Sequence, residues 1–432
     1  MARVCARPLP PAKASTSTSG AFSYPEREEL SMSYYQEQTS AASVDSNTSL
    51  ARPGSPAGKR VRIFFLDNLR VALTVLVVLH HLAVIYGATT AFYYVEPPGP
   101  QDRLASLVFL VFVLFNQAYF MGFFFLISGY FTPGSFERKT PGTFYKDRLV
   151  RLGIPTLAYV FVLSPLASIS PLLSPTPGNF FHLTPLASWQ QFPEALGVGP
   201  LWFAEMLLIF DLGYIIWRWL IRGRVQIGER TSRPPTYLAV GLFILGLALA
   251  NYMMCIVVPM GMFIPILGFP TLSFLPQYLS FFVLGAIAFR QNWFLTIPGS
   301  MGKIGFVAAG LATLVLFPLA LSGGTAFLGH GTWQSAVYAL WDSTFSVGIC
   351  LGAITLFRRF FNRQNRFDRM LSQQSFTVYI IHIPIIVLFA LALRGFHAEA
   401  LLKFALAALV GVPLCYALAS LVRKIPFASK IL

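Results

Sequence analysis

The chain has 432 residues, of which 55% are hydrophobic and only 11% charged, with a net charge of +15. Long apolar runs with so little charge exclude a soluble globular protein and place the chain among multi-span membrane proteins. The basic excess does not mark a nucleic-acid binder, because its Lys and Arg cluster in short connections between apolar segments, as membrane topology requires.

Residues 1–60 are rich in Ser, Thr, Ala and Pro and hold no apolar run of seven or more of the kind a signal-peptide core needs. They read as a disordered cytoplasmic tail, since this composition cannot bury enough apolar surface to offset its ordering entropy. Ten apolar runs follow, near 64–86, 106–127, 152–173, 200–221, 237–258, 274–292, 302–322, 333–357, 375–394 and 400–422. They predict an all-α fold: a polytopic bundle of about ten transmembrane helices over 61–425, with a short cytoplasmic tail at 426–432.

Alternate connections carry the positive charge. On one side lie Lys59, Arg60 and Arg62, then Arg138 to Arg151, Arg222 to Arg233, Arg290 and Lys303, Arg358 to Arg369, and Arg423, Lys424 and Lys430. The other side holds Arg103, Arg394 and Lys403. This bias puts both termini in the cytoplasm and the bundle in a cell membrane, inner or plasma. The longest outer connection, about 174–199, contains His182, Trp189 and several prolines but no Lys or Arg. It either meets a substrate from the far side or is a plain surface loop. Pro165, Pro318, Pro384 and Pro413 fall inside runs, where they kink helices and favour internal space.

Arg70 and His81 interrupt the first run, and an ionisable group in hydrocarbon costs about 2.5 to 3.5 kcal/mol, so a functional reading comes first. Eleven residues at about 100° each return to within roughly 20° of one direction, with about 16 Å between the two along the axis. Asp67 shares that face, whereas His80 points about 80° away. A neutral imidazole takes protons, and a guanidinium binds phosphate or carboxylate. The structural alternative is an Arg70–Asp67 pair beside a hydrogen-bonded interior histidine.

The second run closes on Ser128-Gly129 among aromatics, small residues that admit a close helix or a ligand. Arg148 and Arg151 follow, three residues apart and expected on one helical face at the cytoplasmic surface, where they suit a phosphorylated ligand or anionic lipid headgroups. Three carboxylates lie within runs, Glu205, Asp211 and Asp342. Asp342 falls near the depth of His81 and is the expected partner of its imidazole, and Glu205 is a possible cavity residue. His382, near the middle of the ninth run, lines the same cavity or makes a structural hydrogen bond. The four cysteines show no spacing for a disulfide framework or a zinc site, and no metal or permanently bound cofactor is expected.

Taken together, Leu66-Asp67-Asn68-Leu69-Arg70 with His81, Phe124 to Phe131 with Ser128-Gly129, and Arg148-Leu149-Val150-Arg151 resemble the membrane-bound acyltransferase family 3. Gly199-Pro200-Leu201-Trp202-Phe203 and Tyr379-Ile380-Ile381-His382 add to the resemblance, which runs from about Arg62 to Val422. Within the family it looks most like the branch that acylates, including succinylates, periplasmic glucans. The resemblance implies ten spans and transfer of an acyl group from acyl-CoA to an extracytoplasmic carbohydrate hydroxyl. It also implies that His81 is catalytic with Arg70 beside it, and that Arg148 and Arg151 hold the coenzyme A phosphates. Ser128 is counted with that donor site, and Asp67, Glu205 and His382 with the cavity. With no further domain after the last run, the acceptor would be presented by the membrane domain or by another protein. A proton-coupled transporter would use the same buried His, Arg and Asp, although no inverted repeat is apparent.

Overall fold

The computed structural model describes residues 62–89, 92–168, 196–221, 232–262 and 272–431. The expected N-terminal tail lies outside these residues, as do most of the outer connection with His182 and Trp189, and Arg222, Arg224 and Arg230. Helices account for the regular structure, and no strand occurs among the described residues. Ten are long and apolar enough to cross a membrane: α1 (Phe64–Gly87), α2 (Arg103–Phe136), α3 (Pro141–Ala167), α4 (Gly199–Leu220), α5 (Tyr237–Val257), α6 (Leu272–Arg290), α7 (Gly299–Leu321), α8 (Trp333–Phe360), α9 (Arg366–Ala392) and α10 (Ala400–Val422). All ten belong to one compact unit, Ile63–Leu432.

Several helices outrun their apolar stretch, because capping chemistry and not hydropathy sets where a helix begins. α9 starts nine residues before its apolar run, at a capping box in which Asn365 Oδ1 accepts from the Asp368 N–H and the Asp368 carboxylate accepts from the Asn365 N–H. Thr140 caps α3 by accepting from Thr143 N–H at 3.3 Å, so that this helix starts at Pro141, eleven residues before its apolar run. α2 has 34 residues, roughly 51 Å of helix against a hydrocarbon layer of about 30 Å, so its end projects beyond that layer.

α1, α8 and α9 form the centre, with 61%, 61% and 72% of their apolar windows buried, whereas α5, α7 and α10 bury 22%, 28% and 28% and turn most of their surface to lipid. Where helices touch most closely, the contact residue is glycine. A Cβ on Gly129 would sit 2.0 Å from the Phe282 carbonyl oxygen, and one on Gly285 would sit 2.1 Å from the Leu126 carbonyl oxygen, so α2 and α6 meet backbone to backbone. The Ser128-Gly129 pair is therefore explained first by packing. Gly305 and Gly348 make the equivalent seam between α7 and α8.

Helix ends alternate between two sides as the charge pattern requires. Asn68 at the start of α1 donates to the Phe361 and Arg363 carbonyls at 2.7 and 2.9 Å and accepts from Gln364 at 2.9 Å, tying it to the α8–α9 connection. At the opposite end, Glu96 in the α1–α2 connection pairs with Lys403 in the first turn of α10.

Candidate active site

His81 lies six residues before the end of α1, turned inward toward α9, and the residue is partly accessible. Its Nδ1 lies 2.9 Å from the Val77 carbonyl oxygen and 3.1 Å from His382 Nε2. His382 is fully buried, and its own Nδ1 lies 2.8 Å from the Tyr379 carbonyl oxygen. The ring of Phe92, from the α1–α2 connection, stacks on His81 at 5.4 Å and 23°, and His80 meets it edge-on before packing against Phe120.

That connection is fastened on three sides. Glu96 N–H bonds the Ile85 carbonyl at 2.7 Å, its carboxylate accepts from Tyr94 at 3.3 Å and from Lys403, and Tyr93 shares hydrogen bonds with Tyr159 and Ser164 of α3. Buried lysines are rare without a partner, so the Glu96 pair explains how Lys403 tolerates 4% exposure. In sequence Lys403 reads only as a charge on the sparsely charged side. Its position in the first turn of an apolar run was the signal that it needed a carboxylate.

Asp342 is buried at 2% exposure on α8 but turns to other partners. Gln277 of α6 and Asn251 of α5 donate to its carboxylate at 3.1 and 3.4 Å. The expected Asp342–His81 contact is replaced by His382–His81, because equal depth does not fix the direction a side chain takes around its helix.

In the first turns of α1, Arg70 pairs with Asp67 at 3.6 Å, with its side chain 38% exposed, well before the imidazole along the helix. Arg148 and Arg151 part company. The helix passes into a π turn at Leu149–Gly153, which closes through Ile154 N–H to the Leu149 carbonyl and makes room for Pro155. A π turn rotates less per residue than an α turn, so a three-residue step no longer returns to the same face. Arg151 is consequently exposed, while Arg148 Nε reaches Asp211 on α4 at 3.1 Å. Thr132 Oγ1 joins this pair, 3.1 Å from Asp211 Oδ1 and 3.0 Å from the Ser128 carbonyl. Asp211 was visible as a carboxylate inside a span, and such a group calls for a cation.

The other motifs also acquire physical roles. The Tyr379 hydroxyl donates to the Pro200 carbonyl, so the Gly199–Phe203 turn is locked to the segment bearing His382. Glu205, one turn further along α4, has a buried carboxylate oxygen with no hydrogen-bond partner and lies within electrostatic reach of Tyr379. Among the described residues, no group of three or more His, Cys, Asp and Glu side chains is placed to hold a metal ion.

The family described as an acyltransferase domain, acyltransferase family 3, matches residues 63–420. The chain belongs to that family. Relatives of this acyltransferase-family protein include Glucans biosynthesis protein C of Escherichia coli O157:H7 (strain EC4115 / EHEC), 28% identical over 239 residues, which are 53% of this chain and 58% of that protein. Proteins of the same name from Escherichia coli O17:K52:H18 (strain UMN026 / ExPEC) and Salmonella schwarzengrund (strain CVM19633) are each 26% identical, over 343 and 345 residues, 76% of this chain and 83% of theirs. No solved structure matches.

Proposed function

We propose that this family member is an integral membrane O-acyltransferase that moves an acyl group of the acetyl or succinyl class from acyl-CoA to a hydroxyl of an extracytoplasmic carbohydrate such as a glucan. The family supports acyl transfer, and the names of its relatives support a glucan acceptor. The observation that carries the mechanism is a partly accessible histidine, His81, whose ring is held by hydrogen bonds inside the bundle toward the far end of α1.

The acceptor arrives from outside and the donor from the cytoplasm, both termini lying on the cytoplasmic side of the inner or plasma membrane. His81 takes the hydroxyl proton as the oxygen attacks the thioester carbonyl. The C–O bond forms, the C–S bond breaks, and the departing thiolate recovers the proton from the imidazolium. Exposed Arg151, and the part of Arg148 not turned to Asp211, hold the donor phosphates.

The test uses purified protein in nanodiscs with acyl-CoA and a glucan oligosaccharide, following thiol release and ester formation by mass spectrometry. Ester formation that His81→Ala abolishes supports the reading. Undiminished transfer by that variant defeats it, as does acyl-CoA left unconsumed while proteoliposomes show solute flux.

A further inference from the structure

Two histidines 301 positions apart in sequence meet through one hydrogen bond, and each ring also faces a backbone carbonyl of its own helix. We propose that His382 is a positioning residue for His81: it helps fix which nitrogen of His81 is basic and shares the proton that nitrogen acquires. The proposal rests on His81 being the general base.

The Tyr379 carbonyl oxygen, 2.8 Å from His382 Nδ1, only accepts, so that nitrogen carries the proton. A neutral imidazole has a single N–H, which leaves His382 Nε2 as an acceptor. That acceptor faces His81 Nδ1 at 3.1 Å, and the Val77 carbonyl, a second acceptor, faces the same nitrogen at 2.9 Å. His81 Nδ1 therefore carries its proton, and the lone pair is left on Nε2. Both backbone carbonyls belong to the helices that carry the rings, so the arrangement is built into α1 and α9.

Holding the tautomer alone would not need His382, because the Val77 carbonyl does so already. What a carbonyl cannot do is take up a proton. When His81 Nε2 accepts the hydroxyl proton, its Nδ1–H becomes a charge-assisted donor to His382 Nε2, and the charge spreads over two rings. The dyad holds one added proton and not two, since two unit charges about 3 Å apart repel strongly. That proton returns to the leaving thiolate, so both rings end neutral and no other reactant is needed.

The experiment compares His382→Leu with His382→Gln in nanodiscs. Gln keeps an acceptor oxygen near the place of the imidazole Nε2, whereas Leu removes it. His382→Leu should lower kcat by about 100-fold or more, within the range for acid–base assistance, with KM for acyl-CoA and acceptor within about twofold. His382→Gln, whose amide oxygen like the Val77 carbonyl accepts a hydrogen bond but does not take up a proton, should recover no more than about threefold of that loss. A kcat for His382→Leu within threefold of wild type, a loss confined to KM, or recovery of tenfold or more with Gln overturns the proposal.

Nitrogen-15 NMR of the wild-type protein in bilayers, labelled at its six histidines, is independent of how the variants fold. The His81 signals, assigned by their loss in His81→Asn, should show a protonated Nδ1 and a bare Nε2, and the reverse pattern overturns the proposal. Full transfer by His81→Ala would instead sink the general-base reading, whereas dependence on His81 with indifference to His382 sinks only the dyad.

Discussion

The Arg148–Asp211 pair makes an asymmetric prediction. Asp211 has no exposed side-chain surface, whereas Arg148 retains 22% exposure. Arg148→Ala leaves a carboxylate that cannot reach water, and stranding one partner of a buried pair costs about 3 to 5 kcal/mol. Asp211→Asn leaves a guanidinium whose long stem can turn toward solvent, and the amide still meets Thr132. Its cost should approach that of one charge-assisted hydrogen bond, about 1.5 kcal/mol. With each kcal/mol worth roughly 2 °C in a domain this size, the Tm of detergent-solubilised protein should fall by about 6 to 10 °C for Arg148→Ala and about 3 °C for Asp211→Asn. The double variant Arg148→Met with Asp211→Asn should be more stable than Arg148→Ala, since no charge remains buried. Measurements without acyl-CoA keep donor binding out of the comparison. Equal losses for the two single variants, or a larger loss for Asp211→Asn, would refute the argument that burial decides the cost.

Three further predictions concern what holds the site in place. Gly129→Ala puts a methyl against the Phe282 carbonyl and should cost at least about 1 to 3 kcal/mol, whereas Gly310→Ala, with nothing within 4 Å of the added carbon, should leave Tm unchanged. Asn68→Asp replaces two donated bonds to carbonyls with a facing acceptor and should lower Tm by the equivalent of about 2 to 3 kcal/mol; Asn68→Ala should cost less. Glu96→Ala strands Lys403 at 4% exposure, so adding Lys403→Met should restore part of the lost Tm, and no recovery would show that the ion pair does not hold the outer connection.

Legibility differed by physical cause. The ten spans were readable because hydrocarbon accepts only long apolar helices, and the alternation of ends because Lys and Arg avoid one side. Helix starts were less so, since the Asn365 and Thr140 caps override the apolar boundary. The single-helix arithmetic that places Asp67 and Arg70 together describes what the structure shows, an ion pair across one turn. The same arithmetic fails at Arg148 and Arg151, where a π turn ahead of Pro155 breaks the 3.6-residue period. Pairings between helices were out of reach. Asp342 and His382 were both candidates for the neighbourhood of His81, and only packing decides that α8 turns Asp342 to Gln277 and Asn251 while α9 presents His382.

Arg70 separates a through-space role from a contact role. Eleven residues of helix place it roughly 16 Å below His81 along the axis, so it does not share the imidazole's reacting atoms. A unit charge at that distance acts with about 1 kcal/mol at an effective dielectric of 20, and pairing with Asp67 offsets part of that. Arg70→Gln should therefore change kcat by no more than about fivefold if its charge acts on the imidazole from there. A larger effect should appear in KM for acyl-CoA if, as proposed, the donor is held near the start of α1, because its acyl group must then stretch across that same distance. A compact donor has no means of doing so; a phosphorylated headgroup on a long arm does. Loss of kcat by 100-fold with KM unchanged would place Arg70 at the reacting groups and overturn this division of labour along α1.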